Sequence, residues 1–169
     1  MEPQQLSLEL RKGNTPDLQR RRWIIGLSVV GVAMGQIVTL YQTGIIRHLP
    51  DPPIGIFDSD KVDASNYAYK RANQPDAPAM MITYGATAAL ASMGGQNRAT
   101  QSPWIPIAMG AKLLTDVATN LLLAREEWAE NKKLCTYCQT ASLVSIVSVV
   151  LAWPEVRSAI THLRGRRSA

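Results

Sequence analysis

Cysteine and histidine are scarce in this chain, with two of each among 169 residues. A structural zinc site takes about four Cys or His ligands, and His48 and His162 lie on opposite sides of the apolar runs described below. A zinc site within one chain is therefore not expected. No histidine follows the second cysteine, where Gln139 stands, so c-type haem attachment is excluded. The glycine-rich P-loop and the dinucleotide fingerprint are both missing. "DSDKVD" at 58–63 has Asp63 at the sixth position, where a calcium loop needs glycine, and reads as a solvated turn. Internal repeats and low-complexity tracts are also missing.

Charge is missing over long stretches. A net charge of +5 and a pI near 9.5 would suit a nucleic-acid binder, but the basic residues are blocked at the ends. Arg11, Lys12, Arg20, Arg21 and Arg22 precede the apolar runs, and Arg157, Arg164, Arg166 and Arg167 follow them. That pattern suits a membrane protein with basic ends on one side. The mean hydropathy of −0.05 is an average of apolar runs with polar tails and one long polar loop.

The runs predict four spans. Residues 23–46 carry no charge and exceed the roughly 20 apolar residues that cross a bilayer; a signal-peptide core is only ~7–15 residues long. Residues 77–94 are rich in Ala and Gly, with Pro78 suited to a first helical turn and small residues suited to close packing in lipid. Residues 103–124 contain Lys112 and Asp116, four apart and so on one helix face, a possible intramembrane pair. Residues 134–153 form the last span, with Pro154 expected to stop it. The expected fold is thus all-α: an integral membrane four-helix bundle. Residues 1–22 read as a mostly disordered cytoplasmic tail, 23–155 as the membrane domain and 156–169 as a basic cytoplasmic tail.

Between the first two spans, residues 47–76 form a long polar loop broken by Pro50, Pro52, Pro53 and Gly55. A short helix is expected from Asp63 through Ala72, capped by Asp60 or Asp63. The stretch "REEWAENKK" reads as a charged, exposed loop. Four spans place both termini on one side. Ten Lys or Arg residues then face the cytoplasm and seven face outward, the latter diluted by eight acidic residues. This orientation puts the loop and the cysteines outside.

Cys135 and Cys138 form a Cys-x-x-Cys pair at the start of the last span, with Leu134 near the N-cap. Such a pair can close into a tight disulfide, and a helix N-terminus favours the thiolate. The competing reading is of two buried cysteines acting as small apolar residues. A dithiol at a membrane surface can pass two electrons to a lipid-soluble acceptor such as a quinone, and can exchange with an aqueous thiol through a mixed disulfide.

Taken together, "LCTYCQTASLVSIVSVV", "DSDKVDAS", "MMITYGATAALA" and "PWIPIAMGAKLL" resemble the vitamin K epoxide reductase family over residues 23–155. The resemblance implies that Cys135 and Cys138 are the quinone-proximal couple, Cys138 nearer the quinone and Cys135 exchanging with thiols. It implies substrate contact at Ser65, which matches the family's loop serine, and at Asp76, near the start of the second span. Ser142 stands where the family commonly has an aromatic residue. The family's two loop cysteines, which relay electrons from a thioredoxin-fold partner, are missing, and Ser59 occupies one of their positions. Either a thioredoxin-fold thiol protein or a small thiol then reaches Cys135 directly, or the chain no longer oxidises protein thiols.

The expected function is a thiol–quinone oxidoreductase of a bacterial inner membrane, using ubiquinone or menaquinone, with no metal and no nucleic-acid partner. The alternative is a non-enzymatic four-helix membrane binding or scaffold protein with a degenerate redox site.

Overall fold

The computed structural model describes residues 2–167, which form eight helices: α1 (Pro3–Lys12), α2 (Pro16–Gln42), α3 (Ser59–Asp63), α4 (Asn66–Tyr69), α5 (Ala77–Ser92), α6 (Arg98–Gln101), α7 (Trp104–Asn131) and α8 (Thr136–Arg167). Among the described residues the only β pairing is a single parallel bridge between Phe57 and Leu134. Helix α2 packs on α5 and α8, α7 packs on α8, and α5 touches α7.

Three helices, α2, α7 and α8, are long and apolar enough to cross a membrane. Helix α5 has 16 residues, a length of about 24 Å at 1.5 Å per residue, short of a ~30 Å hydrocarbon core. Outward faces carry Val29, Ile82, Leu121, Leu122, Leu143 and Val150, all exposed. So much uncovered apolar surface fits contact with lipid.

The interior is stacked in three layers. Ile24, Ala91, Met109, Leu113, Ala152 and Val156 fill one end. Tyr84, Ala141 and Val144 form the middle, where α2 approaches so closely that a Cβ at Gly31 would lie 2.5 Å from the Tyr84 ring. Val38, Val62, Tyr67, Ala68, Ala77 and Cys135 fill the other end.

Several segments depart from expectation. The N-terminal residues are helical rather than disordered. Thr15 caps α2 through Leu18 N (3.4 Å), and Arg22 binds the Leu10 and Gly13 carbonyls, satisfying the C-terminal end of α1. Helix α7 runs on through "REEWAEN", so the expected exposed loop is helix, with Glu127 and Asn131 buried. It ends at Lys132 in the left-handed conformation (φ 54°).

Pro154 does not stop α8, which continues through it. An internal proline costs about 3 kcal/mol, but the turn beyond it buries Glu155, Val156 and Ala159, and that packing offsets the cost. In the long loop the helical turns begin earlier than expected. Asp58, not Asp60 or Asp63, caps α3 by accepting from Lys61 N (3.1 Å), and Ala64 and Ser65 separate α3 from α4.

Candidate functional site

Cys135 immediately precedes α8, and its Sγ accepts a bond from Cys138 N–H at 3.3 Å. The sulfur therefore does what an N-cap oxygen usually does for the third helical residue, and Cys135 rather than Leu134 holds the cap. Leu134 is engaged elsewhere: its N–H donates to the Ile56 carbonyl (2.9 Å) and its carbonyl accepts from Asp58 N (3.1 Å).

The loop is fastened to the start of α8 by a second set of bonds. Asp51 accepts from Ser59 N, Ser59 Oγ and Thr136 Oγ1, each at 2.6 Å, while Thr136 N donates to Ser59 Oγ at 3.0 Å. These bonds hold the Asp51 carboxyl below its ordinary range against the opposing effect of burial. Ser59 is thus a structural fastener. Beneath it Cys135 is fully buried, and Cys138 is half-buried.

Two further carboxylates close on the cysteines. Glu127 Oε1 accepts from Cys135 N (2.6 Å) and Oε2 from Gln139 Nε2 (2.9 Å). Asp63, at the end of α3, is 2 % exposed; one carboxylate oxygen and both sulfurs all lie within 4.8 Å of one another. Its Oδ2 has no hydrogen-bond partner. Burial, with Asp76, Asp51 and Asp60 adding repulsion, pushes Asp63 up to about 7 despite the opposing influence of Cys135. Burial and the neighbouring Asp63 push the Cys135 thiol up, against an opposing contribution from Cys138. The helix end is thus outweighed by burial, the reverse of the thiolate-favouring site expected.

On the other side of Cys138 lies a partly open cavity of about 370 Å³ lined by residues of α2, α4, α5, α7 and α8. Val38, Ala77, Met80 and Leu123 supply apolar wall, and Asn120, Thr119 and Gln139 are among its polar groups. Three of the expected site residues, Cys138, Asp76 and Ser142, line it. Asp76 accepts from Gln42 Nε2 (2.9 Å), and burial holds its carboxyl above the ordinary range. Ser142 Oγ donates to the Cys138 carbonyl (2.9 Å).

Asp116 also lines the cavity and pairs with Lys112 at 2.6 Å; Lys112 Nζ further reaches Thr83 O and Thr87 Oγ1 at 2.5 Å each. Ser65 is not among the lining residues, and its hydroxyl is turned back onto the Val62 carbonyl (2.7 Å). Tyr67, two residues on, lines the cavity instead and ties α4 to α7 through the Leu123 carbonyl (3.1 Å).

Sequence reasoning missed Glu127, Asp63, Asn120 and Tyr84. A signal existed for the α7 residues. Asp116, Asn120, Leu123 and Glu127 recur at helical spacing, and all four line the cavity. Tyr84 is held by bonds to Ala141 O (2.5 Å) and Ser145 Oγ (2.9 Å), which no local pattern announces.

A membrane-embedded helical protein with a paired-cysteine site between a cavity and a polar loop is the class these features define. Residues 22–153 match the model of the vitamin K epoxide reductase family, and the chain belongs to that family. Membership points to an oxidoreductase linked to quinones and thiols. Among curated proteins no match to this chain was found.

Proposed function

We propose that this protein is a membrane thiol–quinone oxidoreductase, with α5 as a fourth crossing that completes a four-helix bundle. The reading is carried by one observation: Cys138 lines the apolar cavity while Cys135, whose sulfur accepts from Cys138 N, lies under the polar loop. The couple bridges a lipid-derived and a water-borne reactant. The loop and cysteines face outside the cytoplasm of a bacterial inner membrane, and both termini face inward. That side suits support of disulfide formation through a thioredoxin-fold thiol protein or a small thiol.

The cavity fits a quinone head group. Its volume lies in the usual range for small-molecule sites, about 300–1,000 Å³, and its mostly apolar wall carries polar groups at Asn120, Gln139 and Asp76. Arg71 is also in the wall, and its buried Nη1 has no hydrogen-bond partner. Ubiquinone or menaquinone supplies a two-electron, two-proton acceptor. The protein's own part is to bring the sulfurs together, to release both thiol protons and to keep water from the cavity. The S–S bond forms as two S–H bonds break, and the electron pair leaves toward the cavity from Cys138. The next aqueous dithiol then reduces the disulfide through Cys135, which requires the Asp51–Ser59–Thr136 fastening to open.

Cys138→Ala is expected to abolish quinone-dependent thiol oxidation by purified protein supplied with quinone. Unchanged activity would refute the reading. A second reading, a non-enzymatic membrane scaffold, is favoured by the complete burial of Cys135. It requires thiols that stay reduced, on alkylation trapping, whatever the quinone supply.

A further inference from the structure

Three carboxyl groups around the cysteines compete for a chemical role: Asp63, Glu127 and Asp51. Asp51 has its oxygens committed to Ser59 and Thr136. Both oxygens of Glu127 are likewise taken, by Cys135 N and Gln139 Nε2. Asp63 is different. It is 2 % exposed, its Oδ2 accepts no bond, and it lies within 4.8 Å of both sulfurs. Leaving a buried carboxylate oxygen unpaired carries the desolvation penalty of that group, and an apolar residue would remove that cost. A carboxyl with one oxygen held beside both sulfurs is placed to take the proton of a thiol that must lose it.

We propose that Asp63 is the proton acceptor for the Cys135 thiol during disulfide formation. This rests on the thiol–quinone reading. The Cys135 S–H bond breaks with its proton passing to the Asp63 carboxylate, and the resulting thiolate attacks the Cys138 sulfur. The Cys135–Cys138 bond forms as the Cys138 S–H bond breaks, its proton and the electron pair passing to the quinone on the cavity side, and the quinol anion so formed takes its second proton from solvent as it leaves. The proton on Asp63 is given up when the loop next opens to water, so each cycle moves two electrons and two protons. The carboxyl, with its ordinary value displaced upward by burial to about 7, exchanges a proton readily near neutral pH.

Asp63 does not titrate alone. Tyr41 of α2, Tyr69 of α4, Asp76 at the start of α5, Glu127 of α7, and Cys135, Tyr137 and Cys138 at the start of α8 all face it, as do Asp51 and Asp60 of the loop. The test therefore needs a readout tied to Asp63 itself.

Two measurements on Asp63→Asn and Asp63→Glu in the full-length purified protein supply it: the ultraviolet thiolate absorbance of the cysteine pair, and the turnover of quinone-dependent dithiol oxidation, each against pH. Asp63 disfavours the Cys135 thiolate by its charge, so Asp63→Asn raises the thiolate fraction at a given pH. A general base contributes typically ~10²–10⁴-fold, so turnover in the same variant falls by about 10²-fold near neutral pH and then climbs with hydroxide. Asp63→Glu retains a rising limb near neutrality with a shifted midpoint and part of the rate.

The opposite movement of the two readouts supports the proposal. Turnover that stays level or rises with the thiolate fraction overturns it. Should the wild-type protein show no quinone reduction, the thiol–quinone reading fails by itself. Single-turnover oxidation of the dithiol by diamide then decides the Asp63 assignment: slower in Asp63→Asn than in wild type sustains it, and equal or faster refutes it.

Discussion

The two ends of the molecule treat buried charge in opposite ways. At the end away from the cysteines, Arg21 donates to the carbonyls of Ala91, Met93, Gly94 and Gly95. Arg98 binds Glu155 through two bonds of 2.7 and 2.8 Å and also donates to Leu90 and Met93 carbonyls. The two guanidinium groups thereby satisfy the C-terminal carbonyls of α5, which a helix leaves without partners. At the cysteine end Glu127 is bonded only to neutral groups, and Asp63 keeps an oxygen without a hydrogen-bond partner. A fully bonded charge rigidifies its surroundings. One that is incompletely bonded sits ready to change its protonation. The contrast separates an end whose buried charges are fully bonded from an end, around the cysteines, where one is not.

Three experiments can break or sharpen that contrast. The largest effect is expected from Arg98→Ala, which strands Glu155 at 2 % exposure. Removing one partner of a buried pair costs about 3–5 kcal/mol, measured as the loss of unfolding free energy in mixed micelles, with the dithiol chemistry of the remaining folded fraction unchanged. A loss under about 1 kcal/mol would place the pair with ordinary surface ion pairs.

Next comes pH. Folding raises the Asp63 carboxyl from 3.8 to about 7, so the native state holds the proton more tightly than the unfolded chain does. Its contribution to stability is therefore full below about pH 4, declines as pH rises through 7, and is level above that. The decline is on the order of 4 kcal/mol at 1.36 kcal/mol per pKa unit. Asp63→Asn should abolish that slope and be more stable than wild type at alkaline pH; an unaltered slope would assign it to another group.

The smallest effect concerns access. Asp51→Ala removes one bond between the loop and α8, from Thr136 Oγ1, together with two bonds that position Ser59 within the loop; a bond to a charged group is worth about 1.5–3 kcal/mol. Opening of the loop should become easier, and alkylation of Cys135 should speed up by about tenfold or more. An unchanged rate would mean that the Phe57–Leu134 bridge and the Thr136–Ser59 and Tyr137–Pro50 bonds keep the loop closed without Asp51.

Much of this was legible in the residues. Helices α2, α7 and α8 were readable because an uncharged run of sufficient length has few alternatives in a membrane. The Lys112–Asp116 pair followed from helical spacing, and Cys135 and Cys138 from their own motif. The roles of Arg21 and Arg98 were not readable: both register as topology signals, and only the position of α5 turns them into helix caps. Ser65 was expected at the substrate, but the loop turns its hydroxyl onto Val62 O and presents Tyr67 instead. Glu127 was hidden because the charges of "REEWAEN" look like a loop until one sees that Glu126 and Glu130 pair outward with Lys70 while Glu127 turns inward.

The sequence by itself determined that this is a helical membrane protein with one dithiol and no internal relay, because apolar run length, cysteine count and cysteine spacing are local properties. The tertiary structure alone decided what surrounds that dithiol. A carboxyl from α3, another from α7 and a fastened loop meet at Cys135, while Cys138 lines a cavity between helices. Those environments depend on segments that lie as many as 85 residues apart, as Asp51 and Thr136 do, and no local pattern carries such contacts.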